Sequence, residues 1–172
     1  MLRRKETLTT ENLVLKSLED SDSSALFSVL ENPIVRKTYM SPVFESDDAR
    51  KKFFLRMKEV SNNFDRFVYG IYLNKSLIGL INDVARENDE VEVGYCLHPD
   101  VWNKGYATEA LKAAIRELFR IGFKTVVAAH FEGNLASGKV MQKSGMIRIN
   151  RQEVIEYQGV KHPCIYYEIT NK

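Results

Sequence analysis

The chain has only two cysteines, Cys96 and Cys164, in 172 residues. That is too few for a disulfide framework, and the pair has no metal-ligand spacing. Long apolar runs are missing as well. Even with Gly79 counted in, Leu77 to Ile81 spans about five residues, against the ~20 that a membrane-crossing helix needs. No apolar stretch follows the basic start Met1-Leu2-Arg3-Arg4-Lys5-Glu6, so no secretory signal is read and Arg3-Arg4-Lys5 is expected to be a solvated tail. Nor is there an excess of one charge. Lys and Arg number 25 against 23 Asp and Glu, a net charge of +2, which gives no electrostatic footprint for non-specific nucleic-acid binding. The three histidines, His98, His130 and His162, contain no two-His metal spacing and are expected to be structural or exposed, with no metal bound. No low-complexity tract, long linker or internal repeat interrupts the chain. What is there, 44% hydrophobic and 28% charged residues, is the balance of a globular protein. The expectation is one domain over residues 1–172, cytoplasmic, with no nucleic-acid or membrane partner.

Periodicity divides that domain into strands and helices. Residues 12–18 read as a first strand. Asp20 or Ser21 can then cap a helix whose Ala25, Leu26, Val29 and Leu30 share a face, and Asn32-Pro33 stops it. A second helix starts after Ser46, with Asp47 and Asp48 in its first turn, and runs toward Phe64. Strands follow at about 67–73, 76–85 and 91–97, the first two joined by a hairpin turn at Asn74-Lys75. From Ala107 the apolar residues Ala110, Leu111, Ala114, Ile115, Leu118 and Phe119 form one helical stripe, which Glu109, Lys112, Arg116, Glu117 and Arg120 avoid. Gly122 closes that helix. A β-rich run from Thr125 to His130, a shorter helix from about Asn134 to Ser144, and strands near 146–156 and 163–170 complete the chain. Antiparallel pairs early and late, with a strand–helix–strand crossover between, make a mixed α/β sheet.

The connection His98-Pro99-Asp100-Val101-Trp102-Asn103-Lys104-Gly105-Tyr106-Ala107 carries the first chemical signal. It places small residues where the long helix begins. Unpaired N–H groups and the positive end of the helix dipole converge there, so a pyrophosphate would be well held, with Gly105 allowing close backbone approach. An ordinary strand-to-helix turn would read the same way on local chemistry alone.

The residues Trp102-Asn103-Lys104-Gly105-Tyr106-Ala107-Thr108-Glu109-Ala110 resemble the acetyl-CoA-binding loop of the GNAT acetyltransferase superfamily, whose pattern Gln/Arg-x-x-Gly-x-Gly/Ala opens the central helix. They are most similar to the branch of ribosomal-protein N-terminal alanine acetyltransferases, where Trp-Gly-Lys-Gly-Tyr-Ala-Thr-Glu-Ala is usual. Asn103 replaces the first glycine of that stretch, and Asn is the non-glycine residue best able to take a positive φ. Thr10 to Lys16, Asn32-Pro33-Ile34-Val35, Glu92-Val93-Gly94-Tyr95, Asn134-Leu135-Ala136-Ser137 and Lys143-Ser144-Gly145-Met146 resemble further segments of the branch, in order along nearly the whole chain.

The resemblance implies a GNAT-like fold: a central, mostly antiparallel sheet with a splayed strand pair, flanked by about four helices. It implies an N-acetyltransferase that uses acetyl-CoA as co-substrate and moves the acetyl group by direct attack of an amine. Asn103, Lys104, Gly105, Tyr106, Ala107 and Thr108 would hold the pyrophosphate through their backbone. The backbone around Leu97 would pair with pantetheine like an added strand, and Asn134 would contact the cofactor through its side-chain amide. For a general base the strand spacing nominates Glu92, which shares a face with Gly94 and Cys96, opposite the apolar Val91, Val93, Tyr95 and Leu97. A solvent-facing or ion-paired Glu92 is the plain alternative. The family often has a Tyr seven residues after the Asn as general acid; that position here is Met141, and Ser137 is the remaining hydroxyl. Cys96, mid-strand and without an activating His, is expected to be a buried structural thiol.

Two other readings stay open. One is a GNAT-like module that binds acyl-CoA without turnover. The other is a P-loop nucleotide-binding protein, because Gly133-Asn134-Leu135-Ala136-Ser137-Gly138-Lys139 fits Gly-x-x-x-x-Gly-Lys, although Val140 stands where a hydroxyl should coordinate Mg²⁺. The acceptor, a protein N-terminus (ribosomal or other) or a small amine, has no readable motif, and monomer and homodimer remain equally open. Tyr39 and Phe44, between the first two helices, are candidates to line its pocket.

Overall fold

The computed structural model describes residues 3–171; Met1, Leu2 and Lys172, at the ends of the expected domain, lie outside the described residues. Among the described residues, eight strands form one sheet. In chain order they are β1 (Leu8–Thr9), β2 (Leu13–Lys16), β3 (Val68–Leu73), β4 (Ser76–Glu87), β5 (Glu90–Leu97), β6 (Thr125–Phe131), β7 (Ile147–Tyr157) and β8 (Val160–Thr170). Four helices flank it: α1 (Ser23–Leu30), α2 (Asp47–Asn62), α3 (Tyr106–Ile121) and α4 (Leu135–Lys143). The spatial order is β1-β2-β3-β4-β5-β6-β8-β7. Neighbours are antiparallel except β5 and β6, which run parallel because α3 crosses between them. The mixed α/β architecture expected from the periodicity is therefore present, with strand ends shifted by a few residues and one short strand, β1, that was not expected.

Local chemistry explains most boundaries. Asn74 and Lys75 both take positive φ, 49° and 69°, as a tight hairpin turn requires. Ser46 caps α2 by accepting from the Ala49 N–H, and Asp47 and Asp48 sit at the positive end of that helix. Gly122, at φ 115°, ends α3 in the left-handed conformation and donates to Leu118 and Phe119 carbonyls. The start of α1 differs from expectation. A single 3₁₀ turn, Asp20–Asp22, precedes Ser23, and Glu19 and Asp22 close a capping box around that turn, Asp22 accepting from the Glu19 N–H at 2.7 Å, while no side chain caps α1 itself. Asp22 also accepts from the Tyr72 hydroxyl, a tertiary contact that local sequence could not reveal.

The sheet separates two apolar layers. On one face the α3 stripe, with Ala110, Leu111, Ala114, Ile115 and Leu118 all buried, packs with Met141 of α4 on Val91, Val93 and Leu97 of β5. On the other, Leu26, Phe27, Val29 and Leu30 of α1 and Phe54 of α2 pack on Leu77, Leu80 and Cys96. Fully burying a Leu or Ile contributes roughly 1.5–3 kcal/mol, so the α3 stripe alone anchors its helix firmly against the sheet.

Two expectations about surface charge are overturned. Arg4 is not part of a solvated tail: it is 3% exposed, lies 4.1 Å from the Tyr69 ring centroid, and donates to the carbonyls of Ser61 and Arg66. Glu117, expected on the polar side of α3, is also 3% exposed. It accepts from the Lys5 N–H at 2.6 Å and from Arg120. Burial raises its pKa, but the Arg120 and Lys5 donors outweigh that and hold it below the ordinary value. The N-terminal segment is thereby pinned along α3. A polar pattern marks residues able to face water, and here the chain end brought partners that made burial tolerable.

Candidate active site

The feature that organises the site is a gap in the sheet. β5 and β6 pair only at Glu90–Thr125, Val91–Val126 and Glu92–Val127, although β5 continues to Leu97 and β6 to Phe131. Beyond Glu92 the two strands diverge. A cavity of about 870 Å³ passes through this opening. It reaches from the start of α3 on one side to the loop Ile34–Met40 on the other, a size suited to a cofactor and a small partner.

At the α3 end lie the predicted loop residues. Asn103 takes φ 61° and Gly105 φ 86°, so both glycine-like positions of the expected cradle adopt the left-handed conformation. Gly105 is the residue before α3 and offers no side-chain cap, unlike Ser46 of α2. The first N–H groups of α3 therefore keep their donor capacity for something else. A Cβ built on Gly105 would meet nothing within 4 Å, so the space in front of the loop is open. Asn103, Gly105, Tyr106, Ala107 and Thr108 all line the cavity; Lys104 does not, and its ammonium donates to the Asp100 carbonyl at 3.2 Å. Lys139 and Lys143 of α4 also line the cavity. A loop of free backbone donors with two lysines nearby fits a polyanion such as the pyrophosphate of CoA.

The β5 edge facing the gap is partly used. His98 N–H donates to Ile78 on β4, so alternation turns the Leu97 N–H and carbonyl toward the opening. The Trp102 indole N–H already donates to the Leu97 carbonyl, at 2.8 Å. The Leu97 N–H is thus the group left for an added strand.

Glu92, the nominated base, lines the cavity beside the last β5–β6 pair. Its side chain is 16% exposed, and Arg151 of β7 approaches to 4.0 Å. Burial raises its pKa, the Arg151 guanidinium opposes that, and Glu153 and Glu90 add to the rise. Full solvent exposure does not describe Glu92, whereas the ion-paired alternative does in part, through the long contact to Arg151. Arg151 lies 2.8 Å from Glu153, closer than it comes to Glu92.

Ser137 and Asn134 sit across the gap on α4. Asn134 caps that helix, its Oδ1 accepting from the Ser137 N–H at 3.3 Å, which leaves its amide NH₂ as a donor. Ser137 Oγ is therefore not needed to cap α4. The Tyr95 hydroxyl donates to the Ser137 carbonyl at 3.2 Å, a pairing between strand and helix that sequence reasoning missed. Met141, where relatives often carry a Tyr, is 1% exposed in the core under α3 and does not line the cavity. The P-loop reading fails here as well: Gly138 and Lys139 lie inside α4, not in a loop ahead of a helix, and Gly138 packs against the His130 ring.

The far wall holds residues with no sequence signal. A bulge between Asp83 and Ala85 turns Val84 outward, and a Cβ on Gly94 would come within 3.1 Å of it. Tyr39 lines the cavity as expected and donates to Asn82 Oδ1 at 3.2 Å, but Phe44 instead packs on Phe27 and Phe53. The Tyr157 hydroxyl reaches the Ser41 carbonyl, so the β7–β8 hairpin borders the same mouth. Burial pushes the Cys96 thiol up to about 12, which removes it as a nucleophile at neutral pH. His130 is buried against Tyr167 with Nδ1 on the Phe131 carbonyl, His162 stacks on Phe131, and His98 Nδ1 accepts from the Asp100 N–H.

A family model for the acetyltransferase (GNAT) domain matches residues 12–147. The chain belongs to the GNAT acetyltransferase family. Among curated relatives, the uncharacterized N-acetyltransferase YnaD of Bacillus subtilis (strain 168) is 29% identical over 143 residues, 82% of each chain. The crystal structure of a GNAT-family acetyltransferase from Bacillus anthracis superposes with a TM-score of 0.80 at 25% identity, over 95% of this chain and 98% of that one. RimL, a ribosomal-protein α-N-acetyltransferase solved in complex with coenzyme A, shares the fold at a TM-score of 0.78 and 19% identity, covering 96% and 98%. The eight-stranded sheet with four helices is thus the GNAT fold, and the protein is an acetyltransferase.

Proposed function

We propose that this GNAT acetyltransferase binds acetyl-CoA along the α3–α4 side of the gap and transfers its acetyl group to a primary amine that enters from the opposite face. The observation that carries this reading is the opening of the sheet directly after Glu92, which joins the cradle at Gly105 to the pocket around Tyr39 in one cavity. Acetyl-CoA supplies a thioester carbonyl already reactive toward neutral amines. The backbone of Asn103 to Thr108 holds the pyrophosphate, the Leu97 N–H takes one pantetheine carbonyl, and the Asn134 amide adds a further donor. RimL, with the same fold, is solved in complex with coenzyme A, which supports CoA as the kind of ligand bound.

Glu92 takes the proton that the amine must lose, through water. Its raised pKa brings it nearer the working range than an ordinary carboxylate. Ser137, free of capping duty, donates to the departing thiolate, while Tyr95 fixes the α4 start against β5. Attack is direct, because the pKa of each cysteine in the cavity lining, Cys96 and Cys164, is raised by burial and each stays a thiol. The amine is a protein N-terminus or a small amine; an α-amine of pKa ~7.7–8.0 needs far less help than a Lys amine near ~10.4. The test is CoA release with an amine panel together with intact-protein mass. Product without any acetylated enzyme is expected. An acetyl adduct that forms and decays at the turnover rate would refute direct attack, and release independent of every amine would refute transfer. Absence of turnover with retained acetyl-CoA binding would favour a binding module.

A further inference from the structure

The acceptor half of the cavity has a composition that selects among amines. Its walls are mainly apolar, with Ile34, Tyr39, Met40, Val84, Phe131 and Ile155, and include the uncharged polar Thr38 and Asn82. Ile34, Met40 and Val84 are large apolar side chains left 51%, 49% and 55% exposed around this mouth. Among the described residues, the acidic side chains lining the cavity are Glu92 and Asp83. The Asp83 carboxylate is already committed: it is 3% exposed, lies 2.8 Å from Arg86 and 3.3 Å from Arg66, and accepts from the Phe67 N–H. Lys37 adds a positive charge to the same lining.

Resting on the transfer reading above, we propose that the acceptor is a monoamine whose amine-bearing carbon carries an apolar group, and that polycations such as polyamines and aminoglycosides are rejected. A second ammonium on the acceptor would find no free carboxylate, would face Lys37, and would lose its hydration against apolar walls. One carboxylate receives one amine. The apolar neighbour of that amine packs against Val84 and Tyr39, which close over Gly94: a Cβ there would come 3.1 Å from Val84 and 3.9 Å from Tyr39. The same apolar contact lowers the pKa of the amine and so increases the neutral, attacking form.

The test begins with thermal stabilisation by acetyl-CoA, which reports the cofactor half alone; no stabilisation would overturn the transfer reading itself. Rates of CoA release are then compared for leucinamide, phenylalaninamide, glycinamide, spermidine and kanamycin, and for short peptides starting with Leu or Gly. Leucinamide or phenylalaninamide should exceed glycinamide in kcat/KM by about tenfold or more, the usual discrimination of an apolar pocket. Spermidine and kanamycin should fall below glycinamide. Faster turnover of the Leu peptide than of leucinamide would identify the source as a protein N-terminus, and the reverse a small molecule; both support the proposal. Val84→Asp, at an exposed bulge that tolerates a polar residue, should cut the leucinamide preference about tenfold, raise spermidine turnover and leave acetyl-CoA affinity unchanged. Spermidine or kanamycin matching leucinamide, equal rates for leucinamide and glycinamide, or no turnover of any apolar monoamine while acetyl-CoA still stabilises the protein would each overturn the proposal without touching cofactor binding.

Discussion

Replacing Gly105 with glutamate perturbs the cradle in two separable ways. The backbone at Gly105 has φ 86°, a conformation that costs an L-residue about 1–2 kcal/mol. For a chain of this size that lowers Tm by roughly 2–8 °C. No steric term adds to it, because the new Cβ meets nothing within 4 Å. The charge term is larger. At roughly 5 Å and an effective dielectric near 20, the carboxylate and one phosphate charge repel by about 3 kcal/mol. Acetyl-CoA should therefore bind roughly two hundredfold more weakly. Gly159→Glu is the matched control: Gly159 also has a positive φ, 73°, and open space, but it sits at the tip of the β7–β8 hairpin away from α3. Calorimetric titration of both variants, with circular dichroism to check folding, decides the matter. The reasoning fails if folded Gly105→Glu binds acetyl-CoA as tightly as Gly159→Glu does.

Three further substitutions probe the chemistry. Glu92→Gln should lower kcat by ~10²–10⁴ and leave acetyl-CoA affinity alone. It should also raise Tm at neutral pH: the folded-state pKa lies above the unfolded value, so the wild type loses stability as pH rises between the two, and the Gln variant does not. Equal melting of the two proteins from acid to neutral pH would refute the raised pKa, and normal turnover would remove Glu92 from the mechanism. Ser137→Ala should reduce kcat roughly ten- to a hundredfold with little change in Tm, since Asn134 caps α4; lower Tm with full kcat would make Ser137 a structural residue. Cys96→Ala should retain most of kcat despite a modest loss of stability from the buried site, and loss of turnover in the folded variant would contradict direct attack.

Much of the architecture was legible one element at a time, because local patterns are written where they act. The α3 stripe, the Gly122 stop, the Asn74-Lys75 turn and the positive φ at Asn103 and Gly105 all depend on residues within a turn or two of each other. The cradle was legible for the same reason: it consists of backbone at a helix start, and the spacing of small residues before an amphipathic run identifies it. Alternation along β5 likewise placed Glu92, Gly94 and Cys96 on one face. The burial of Arg4 and Glu117, the core position of Met141 and the packing of Phe44 were not legible, since each depends on partners tens of residues away.

By itself, then, the order of residues determined which segments are strands and helices, the short β1 excepted, where a phosphate-binding loop could form, and which face of β5 carries the carboxylate. Tertiary structure alone decided that the splay begins directly after Glu92, that Arg151 lies 4.0 Å from that carboxylate, and that Tyr95 meets Ser137 across the gap. The physical reason is range. Capping, alternation and turn geometry are short-range and recur wherever their residues recur, whereas the raised pKa of Glu92 and the apolar cavity wall around Val84 exist only once distant strands have closed around them and displaced water.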